Sequence, residues 1–330
     1  MKLSVALATW RGTAYLQAQL DSLVAQSRKP DELVAVDDAS GDATPDVLEA
    51  FAAHAPFPVR VLRNASNLGY AANFNRALME CTGDLVLPCD QDDLWFPDKL
   101  AKFEAWASET PDAQIFACDT ELTDGALNRS GRTKRGQIAA MGLPPEAFVM
   151  GCCLGVRRAF LDIALPIPDR ARAHDTWLVE LADRFGLVDR RADVLQYYRQ
   201  HGANTSDFAA NTTLNIGFSH LAARQAASIW RRMRSDGGLC AELVFLTLQE
   251  ARVVQASVGL QALCGPKRYD AALAALAARR KTLEARTDVR AKRGLSRILA
   301  ALRLWRGGGY SRSGGLRGVL RDLTVQGPAS

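Results

Sequence analysis

Four short apolar runs, each stopping at a polar loop, constrain the fold of this chain more than anything else in it. They cover residues 3–8, 32–36, 59–62 and 84–89. Between them lie stretches with helical spacing, such as Tyr15, Leu16, Leu20, Leu23 and Val24, and a segment from Thr44 to His54. Runs that are apolar rather than alternating predict strands buried on both faces. Their alternation with helices predicts an α/β fold, a mostly parallel central sheet flanked by helices. In such sheets ligands bind beyond the C-terminal strand ends. Three loops lie there: Thr9-Trp10-Arg11-Gly12, residues 37–42, and Asp90-Gln91-Asp92-Asp93. No Gly-x-Gly-x-x-Gly follows the first run and no Gly-Lys-Ser/Thr occurs anywhere. That argues against a dinucleotide dehydrogenase and a P-loop kinase.

The acidic loop is the sharpest of the three. Three carboxylates within four residues repel one another unless a cation sits among them. A hard divalent metal carrying a phosphate-bearing ligand would satisfy them. An acidic loop that merely caps the helix beginning near Asp98 is the other reading. Downstream, residues 113–118, 148–156 and 194–201 read as further strands, and Ala173-His174-Asp175-Thr176-Trp177 opens a helix. Residues 123–137 have the texture of a surface loop.

From Thr212 onward the pattern is helical and rich in Ala and Arg, broken at Gly237-Gly238, Gly265-Pro266 and 307–309. The charge follows the same division. Residues 1–204 carry 21 Lys and Arg against 28 Asp and Glu, whereas 205–330 carry 20 against 8. We therefore expect a first domain at 1–204 and a basic, mainly helical region at 205–330. Within the latter, Leu295, Ile298, Leu299, Leu302 and Trp305 recur at helical spacing among arginines. A basic amphipathic helix of this kind, residues 295–306, fits the surface of an anionic membrane, and packing on the first domain is the alternative. No nucleic-acid motif accompanies the charge, so no nucleic-acid partner is expected. Seven cysteines without metal-ligand spacing point to a reducing, cytoplasmic setting. Met1-Lys2 leads straight into a strand-like run, so no secretory leader is expected, and no long uncharged apolar stretch suggests a membrane span.

Taken in order, Ala-Thr-Trp-Arg-Gly, Val-Asp-Asp-Ala-Ser-Gly-Asp-Ala-Thr, Asn-Leu-Gly-Tyr, Asp-Gln-Asp-Asp-Leu-Trp, His-Asp-Thr-Trp and Tyr-Arg-Gln-His-Gly-Ala-Asn span residues 3–204. This series resembles the family 2 glycosyltransferases, and within them the rhamnosyltransferase-like bacterial branch. The resemblance implies the nucleotide-sugar-binding glycosyltransferase A fold. It covers the front of the chain; the rear matches only in texture.

The resemblance also implies roles. Trp10 stands where the family stacks an aromatic on the nucleotide base, a core tryptophan being the alternative. Asp38 matches the carboxylate that hydrogen-bonds the base, unless it is a turn residue, with Asp42 the better cap for the helix at Thr44-Pro45. Asp90-Gln91-Asp92 matches Asp-x-Asp: Asp92 would ligate Mg²⁺ or Mn²⁺, and Asp90 would bind ribose or sugar hydroxyls, with Asp93 structural. Asp175 matches the catalytic base, with helix N-capping as its alternative. His201 falls where relatives place a histidine reaching the metal or diphosphate, and a structural histidine is the alternative. Gly151 and Cys152 match the acceptor-side wall, and Asn73 a polar position facing the donor. Arg11 departs from the family's Tyr-Asn-Gly.

The implied function is a metal-dependent inverting glycosyltransferase of cell-surface polysaccharide synthesis. It would take a dTDP- or UDP-linked sugar, with rhamnose in view, to a glycan or lipid-linked acceptor at the inner face of the cell membrane. A sugar-nucleotide-forming nucleotidyltransferase, or an inactive nucleotide-sugar-binding scaffold, are the alternatives.

Overall fold

The computed structural model describes residues 1–171, 173–201, 211, 213, 237–311 and 315–325. The chain forms two compact units, Met1–Ile216 and Gly217–Ser330. The boundary expected at 204/205, and the Gly202-Ala203-Asn204 end of the last motif, lie outside the described residues.

In the first unit the four apolar runs become β1 (Leu3–Thr9), β2 (Glu32–Asp37), β3 (Val59–Arg63) and β4 (Leu85–Asp90). They pair in parallel in the order β3-β2-β1-β4. Every residue of β1 and β2 is buried. Helices α1 (Leu16–Val24), α2 (Thr44–Ala52) and α3 (Tyr70–Glu80) connect these strands. Register places Thr9 opposite Asp37 and Ala8 opposite Asp90. The three loops singled out in the sequence therefore emerge side by side from one edge.

The other half of the sheet is mixed. After β5 (Leu94–Trp95) and α4 (Lys99–Glu109) come β6 (Ile115–Asp124), β7 (Arg129–Thr133) and α5 (Lys134–Ala140). Next are β8 (Leu154–Arg157), α6 (Arg158–Ala164), α7 (His174–Asp183) and β9 (Val188–Gln200). Strand β8 runs antiparallel between β4 and β6, and β9 runs parallel to β6 while β5 pairs antiparallel with it. Because β5 directly follows the acidic loop, its pairing of Leu94 with Tyr197 draws the end of β9, and His201 beyond it, to the acids.

Two stretches differ from the sequence expectation. Residues 123–137 are not a plain surface loop. They hold β7 and the start of α5, fixed by Arg129 on Glu121 (2.9 Å) and by the Gly136 N–H on the Thr133 hydroxyl (3.1 Å). Only two backbone register pairs join β7 to β6, so no clear alternation marks it in sequence. The strand expected over 148–156 begins at Leu154, because Gly151–Cys153 closes as a 3₁₀ turn.

The second unit contains α8 (Gly237–Gln255), α9 (Ser257–Cys264), α10 (Pro266–Ala291), α11 (Gly294–Arg306) and α12 (Leu316–Thr324). The break at Gly265-Pro266 falls between helices, with Gly265 at φ +79°, a left-handed turn that glycine tolerates. Asp322 is fully buried and takes hydrogen bonds from Arg286 (2.7 Å) and Arg290 (2.8 Å), both on α10. Removing one partner of such a buried pair typically costs about 3–5 kcal/mol, so Asp322 is how α12 is held.

Candidate active site

The strand ends and the N-terminus of α7 enclose a cleft of about 1050 Å³ within the first unit. The loop after β1 forms one lip. Trp10 is 47% exposed, so it is a ring offered to the cleft rather than a core tryptophan. Arg11 (φ +49°) and Ala39 (φ +55°) are both non-glycine residues in the left-handed region, a cost that tends to be retained at functional loops. The Arg11 N–H donates to Ser40 Oγ (2.8 Å) and the Gly12 N–H to Thr44 Oγ1 (2.8 Å), which locks this loop to the one after β2.

The adjacent acids Asp37 and Asp38 do different work. Asp37 is fully buried and accepts from the Ser40 N–H (2.9 Å) and Thr9 Oγ1 (3.3 Å), so it builds the turn. Asp38 lines the cleft and accepts from Asn64 Nδ2 (2.7 Å) and from the N–H groups of Leu68 and Gly69 (2.9 Å each). Asn73 also reaches the cleft wall, yet its amide is committed to the fold. Its Nδ2 donates to Val36 O (3.0 Å) and Thr9 O (3.3 Å), and its Oδ1 accepts from Asn64 Nδ2 (3.0 Å). Asp42, expected to cap α2, takes the Thr44 N–H (3.1 Å) from one position before the N-cap residue Ala43.

At the acidic loop the carboxylates separate by environment. Burial, reinforced by the charge of Asp92, pushes the Asp90 carboxyl up to about 7. Burial and the same neighbours push Asp93 well above the usual carboxylate range. Asp93 is fully buried and accepts from Gln196 Nε2 (2.9 Å) and the Arg199 N–H (3.3 Å). Asp92 turns instead toward the cleft, where its Oδ2 meets His201 Nε2 at 2.8 Å. The His201 ring stacks on Tyr15 (4.7 Å between centroids), and Arg199 lies 4.6 Å over the Tyr15 ring. Arg199 Nε in turn donates to Asp92 O (2.8 Å).

This arrangement fits a divalent cation. A carboxylate oxygen and an imidazole nitrogen converge beside a second carboxyl, Asp90, whose pKa is raised first by burial and then by the charge of Asp92. A second cluster, Asp90, Asp93 and Cys152, gathers donor atoms within 4.8 Å of one another. Its members already have partners. Gln196 Nε2 serves both Asp93 and Cys152 Sγ (3.0 Å), and fully buried Lys99 donates to Gln196 Oε1 and to Cys152 O (2.7 Å). The lysine supplies the positive charge there.

The opposite wall comes from α7 and the 3₁₀ turn. Ala173 is the N-cap of α7, so Asp175 is not the cap but a first-turn residue lining the cleft. Gly151 lines the cleft, whereas Cys152, expected beside it in the acceptor-side wall, is fully buried behind it. Its sulfur points into the Gln196 network, which explains the difference.

Tyr15, Lys134 and His174 also line the cleft, although the sequence reading assigned them no role in a site. Tyr15 looked like one apolar position of a helix, but precedes α1 and carries the His201 ring. Lys134 sits in the stretch expected as surface loop; it is 2% exposed, donates to Asn211 Oδ1, and burial lowers its pKa to about 8. His174 opens α7 immediately before Asp175.

Residues 4–163 match the family described as Glycosyl transferase family 2. An uncharacterized glycosyltransferase of Nostoc sp. (strain PCC 7120) is 29% identical over 224 residues, covering 64% of this chain and 69% of that protein. EpsE of Bacillus subtilis is 33% identical over 114 residues, covering 34% of this chain and 41% of EpsE. The dTDP-rhamnosyl transferase RfbG of Shigella flexneri is 30% identical over 98 residues, covering 28% of this chain and 34% of RfbG. The match thus spans about two fifths of EpsE and about one third of RfbG. Among solved structures, S. aureus TarS 1–349 with UDP-GlcNAc aligns with a TM-score of 0.52 at 17% identity, covering 98% of this chain and 89% of TarS 1–349. Its complex with UDP gives 0.51 at 17% identity, covering 86% and 90%. The likeness is one of fold, the glycosyltransferase A type.

Proposed function

With a family 2 glycosyltransferase domain in residues 4–163 as premise, we propose that the chain transfers a sugar from a nucleoside-diphosphate donor to a hydroxyl of a glycan or lipid-linked acceptor, inverting the anomeric centre. The observation that carries this reading is the content of one cleft: exposed Trp10, Asp38, the Asp92–His201 pair and Asp175 all line it. Trp10 offers a face for the base, and Asp38 an acceptor for a pyrimidine N–H. Asp92 and His201 would hold the cation, Mg²⁺ or Mn²⁺, which would supply neutralisation of the negative charge of the donor's diphosphate. Asp90, with a carboxyl near neutrality in pKa, serves ribose or sugar hydroxyls as donor or acceptor. Asp175 takes the acceptor hydroxyl's proton as that oxygen bonds to the anomeric carbon and the bond to the diphosphate oxygen breaks. RfbG is a dTDP-rhamnosyl transferase and TarS is seen with UDP-GlcNAc, which favours a dTDP- or UDP-linked donor, rhamnose foremost.

Asp175→Asn is expected to lower turnover by about 10²–10⁴-fold while nucleoside diphosphate still binds. Near-normal turnover in that variant would remove Asp175 from the base position. Asp92→Ala should abolish the Mn²⁺-dependent part of UDP or dTDP binding measured by calorimetry. Equal binding with and without Mn²⁺ in both proteins would dismiss the cation.

The second unit adds a location. Leu295 (78% exposed), Ile298, Leu299, Leu302 and Trp305 of α11 all face solvent, as do Leu316 and Leu320 of α12. Lys292, Arg293, Arg303 and Arg306 are exposed around them. Among the described residues no helix is long and apolar enough to cross a membrane. An apolar stripe with a basic border matches the acyl boundary and headgroups of an anionic bilayer, and that surface is its occupant in this reading. Lipid-linked acceptors would be met there, at the inner face of the cell membrane.

A further inference from the structure

His174 is a buried imidazole whose hydrogen-bonding capacity goes unused among the described residues. It is 5% exposed, lines the cleft and precedes Asp175. Its ring stacks on Phe74, with centroids 4.0 Å apart at 23°, and meets the edge of Tyr70 at 6.2 Å. Among the described residues neither Nδ1 nor Nε2 finds a hydrogen-bond partner. Burial lowers its pKa, which leaves a neutral ring with one donor and one acceptor. A histidine retained for packing alone would be expected to satisfy those atoms. On the same helix, buried Trp177 gives its Nε1–H to Ala164 O at 2.9 Å. Two orphaned polar atoms buried just beneath a cavity wall are costly unless the wall opens to let a partner reach them.

The surroundings narrow what arrives. A Cβ at Gly151 would lie 2.3 Å from His174 Nε2, so the imidazole keeps its place only because residue 151 has no side chain. Asp38 and Trp10 take the base end of the cleft in the reading above, and Asp92 with His201 takes the diphosphate. The wall carrying Asp175 is where the anomeric carbon must come. A sugar hydroxyl both donates and accepts, so it can serve either imidazole nitrogen. We propose that His174 is a binding residue for a hydroxyl of the transferred sugar, with its orientation fixed by Phe74 and Gly151. This rests on the chain using a nucleoside-diphosphate sugar.

The test is calorimetry of the full chain with Mn²⁺, comparing dTDP with dTDP-rhamnose and UDP with UDP-GlcNAc. Wild type should bind one sugar nucleotide more tightly than its nucleoside diphosphate. His174→Leu removes both nitrogens and should erase that margin, about tenfold or more, while nucleoside diphosphate affinity and melting temperature hold or rise. His174→Gln, which keeps a donor and an acceptor, should restore part of the margin. A margin unchanged in His174→Leu overturns the proposal. So does a fall in melting temperature with equal loss of both ligands, the mark of a purely structural histidine. If wild type binds neither nucleoside diphosphate, the transferase reading itself fails and takes this one with it. If it binds the diphosphates but gains nothing from any sugar, only the His174 assignment falls.

Discussion

Glu32 shows how much a single carboxylate can organise. It is 7% exposed at the start of β2 and accepts from Ser4 Oγ (2.5 Å), the Thr82 N–H (2.6 Å) and Thr82 Oγ1 (2.8 Å). Burial alone would raise its pKa, but these hydrogen bonds outweigh it and hold the carboxyl below its ordinary value. A depressed carboxylate contributes stability that is complete above the ordinary value and is lost as pH falls through the folded one. Glu32→Gln should therefore cost about 1–3 kcal/mol at pH 7, and the gap should narrow as pH is lowered below about 4.5. Melting temperatures from pH 7 to pH 3 measure it, and a gap constant across that range would refute the linkage. At this scale the sequence was readable wherever chemistry is concentrated. Asp38, Asp92, Asp175 and His201 stand out because each belongs to a dense local motif. Tyr15 does not, because its role arises from His201, 186 residues away, and His174, although it shares a motif with Asp175, takes its setting from Phe74, 100 residues away.

At the scale of elements, the legible part was the parallel half of the sheet. The runs of β1 and β2 are buried throughout and that of β4 is buried up to Asp90, so composition alone marks them. The mixed half was harder to read. Strand β9 runs to Gln200 with intermediate exposure over most of its first half, and β7 consists of Arg-Ser-Gly-Arg-Thr, which no propensity favours as a strand. Close packing in that half rests on Gly155 in β8. A Cβ there would lie 2.5 Å from Cδ1 of Phe103, a ring fully buried under the sheet. Gly155→Ala should overpack the junction of β8 and α4 and cost about 1–3 kcal/mol in denaturant unfolding, with nucleoside diphosphate affinity retained. An unaltered midpoint would mean that Phe103 yields at no cost.

For the whole molecule, the division of charge is as informative as the division of fold. The acidic front contains the cleft proposed to take a cation, and the basic rear carries the exposed apolar stripe. The expected consequence is sedimentation with vesicles containing anionic lipid at low salt, weakening as salt screens the arginines, and little with zwitterionic vesicles. Replacing Leu299 and Trp305 together by Glu should reduce partitioning by about tenfold, since apolar area is lost and two negative charges are added. Equal binding of that double variant would assign the stripe to another purpose. The sequence disclosed this stripe through its helical spacing, but not its two-sided character. Ala301 is fully buried, and Ala300 and Leu304 pack against a small core of Val289, Tyr310 and Val319, while the larger residues of the same helix are left outside.

Gln91, flanked by Asp90 and Asp92, accepts the Trp10 N–H at 2.8 Å and returns its own amide to Trp10 O at 3.0 Å. A Cβ on Gly12 would fall 2.2 Å from its Oε1. For protein engineering this makes the two loops one cassette. A graft that imports a new loop after β1 without a glutamine at 91 and a glycine at 12 would unlatch the carboxylates it was never meant to touch, whereas exchanging both loops together would carry the latch along.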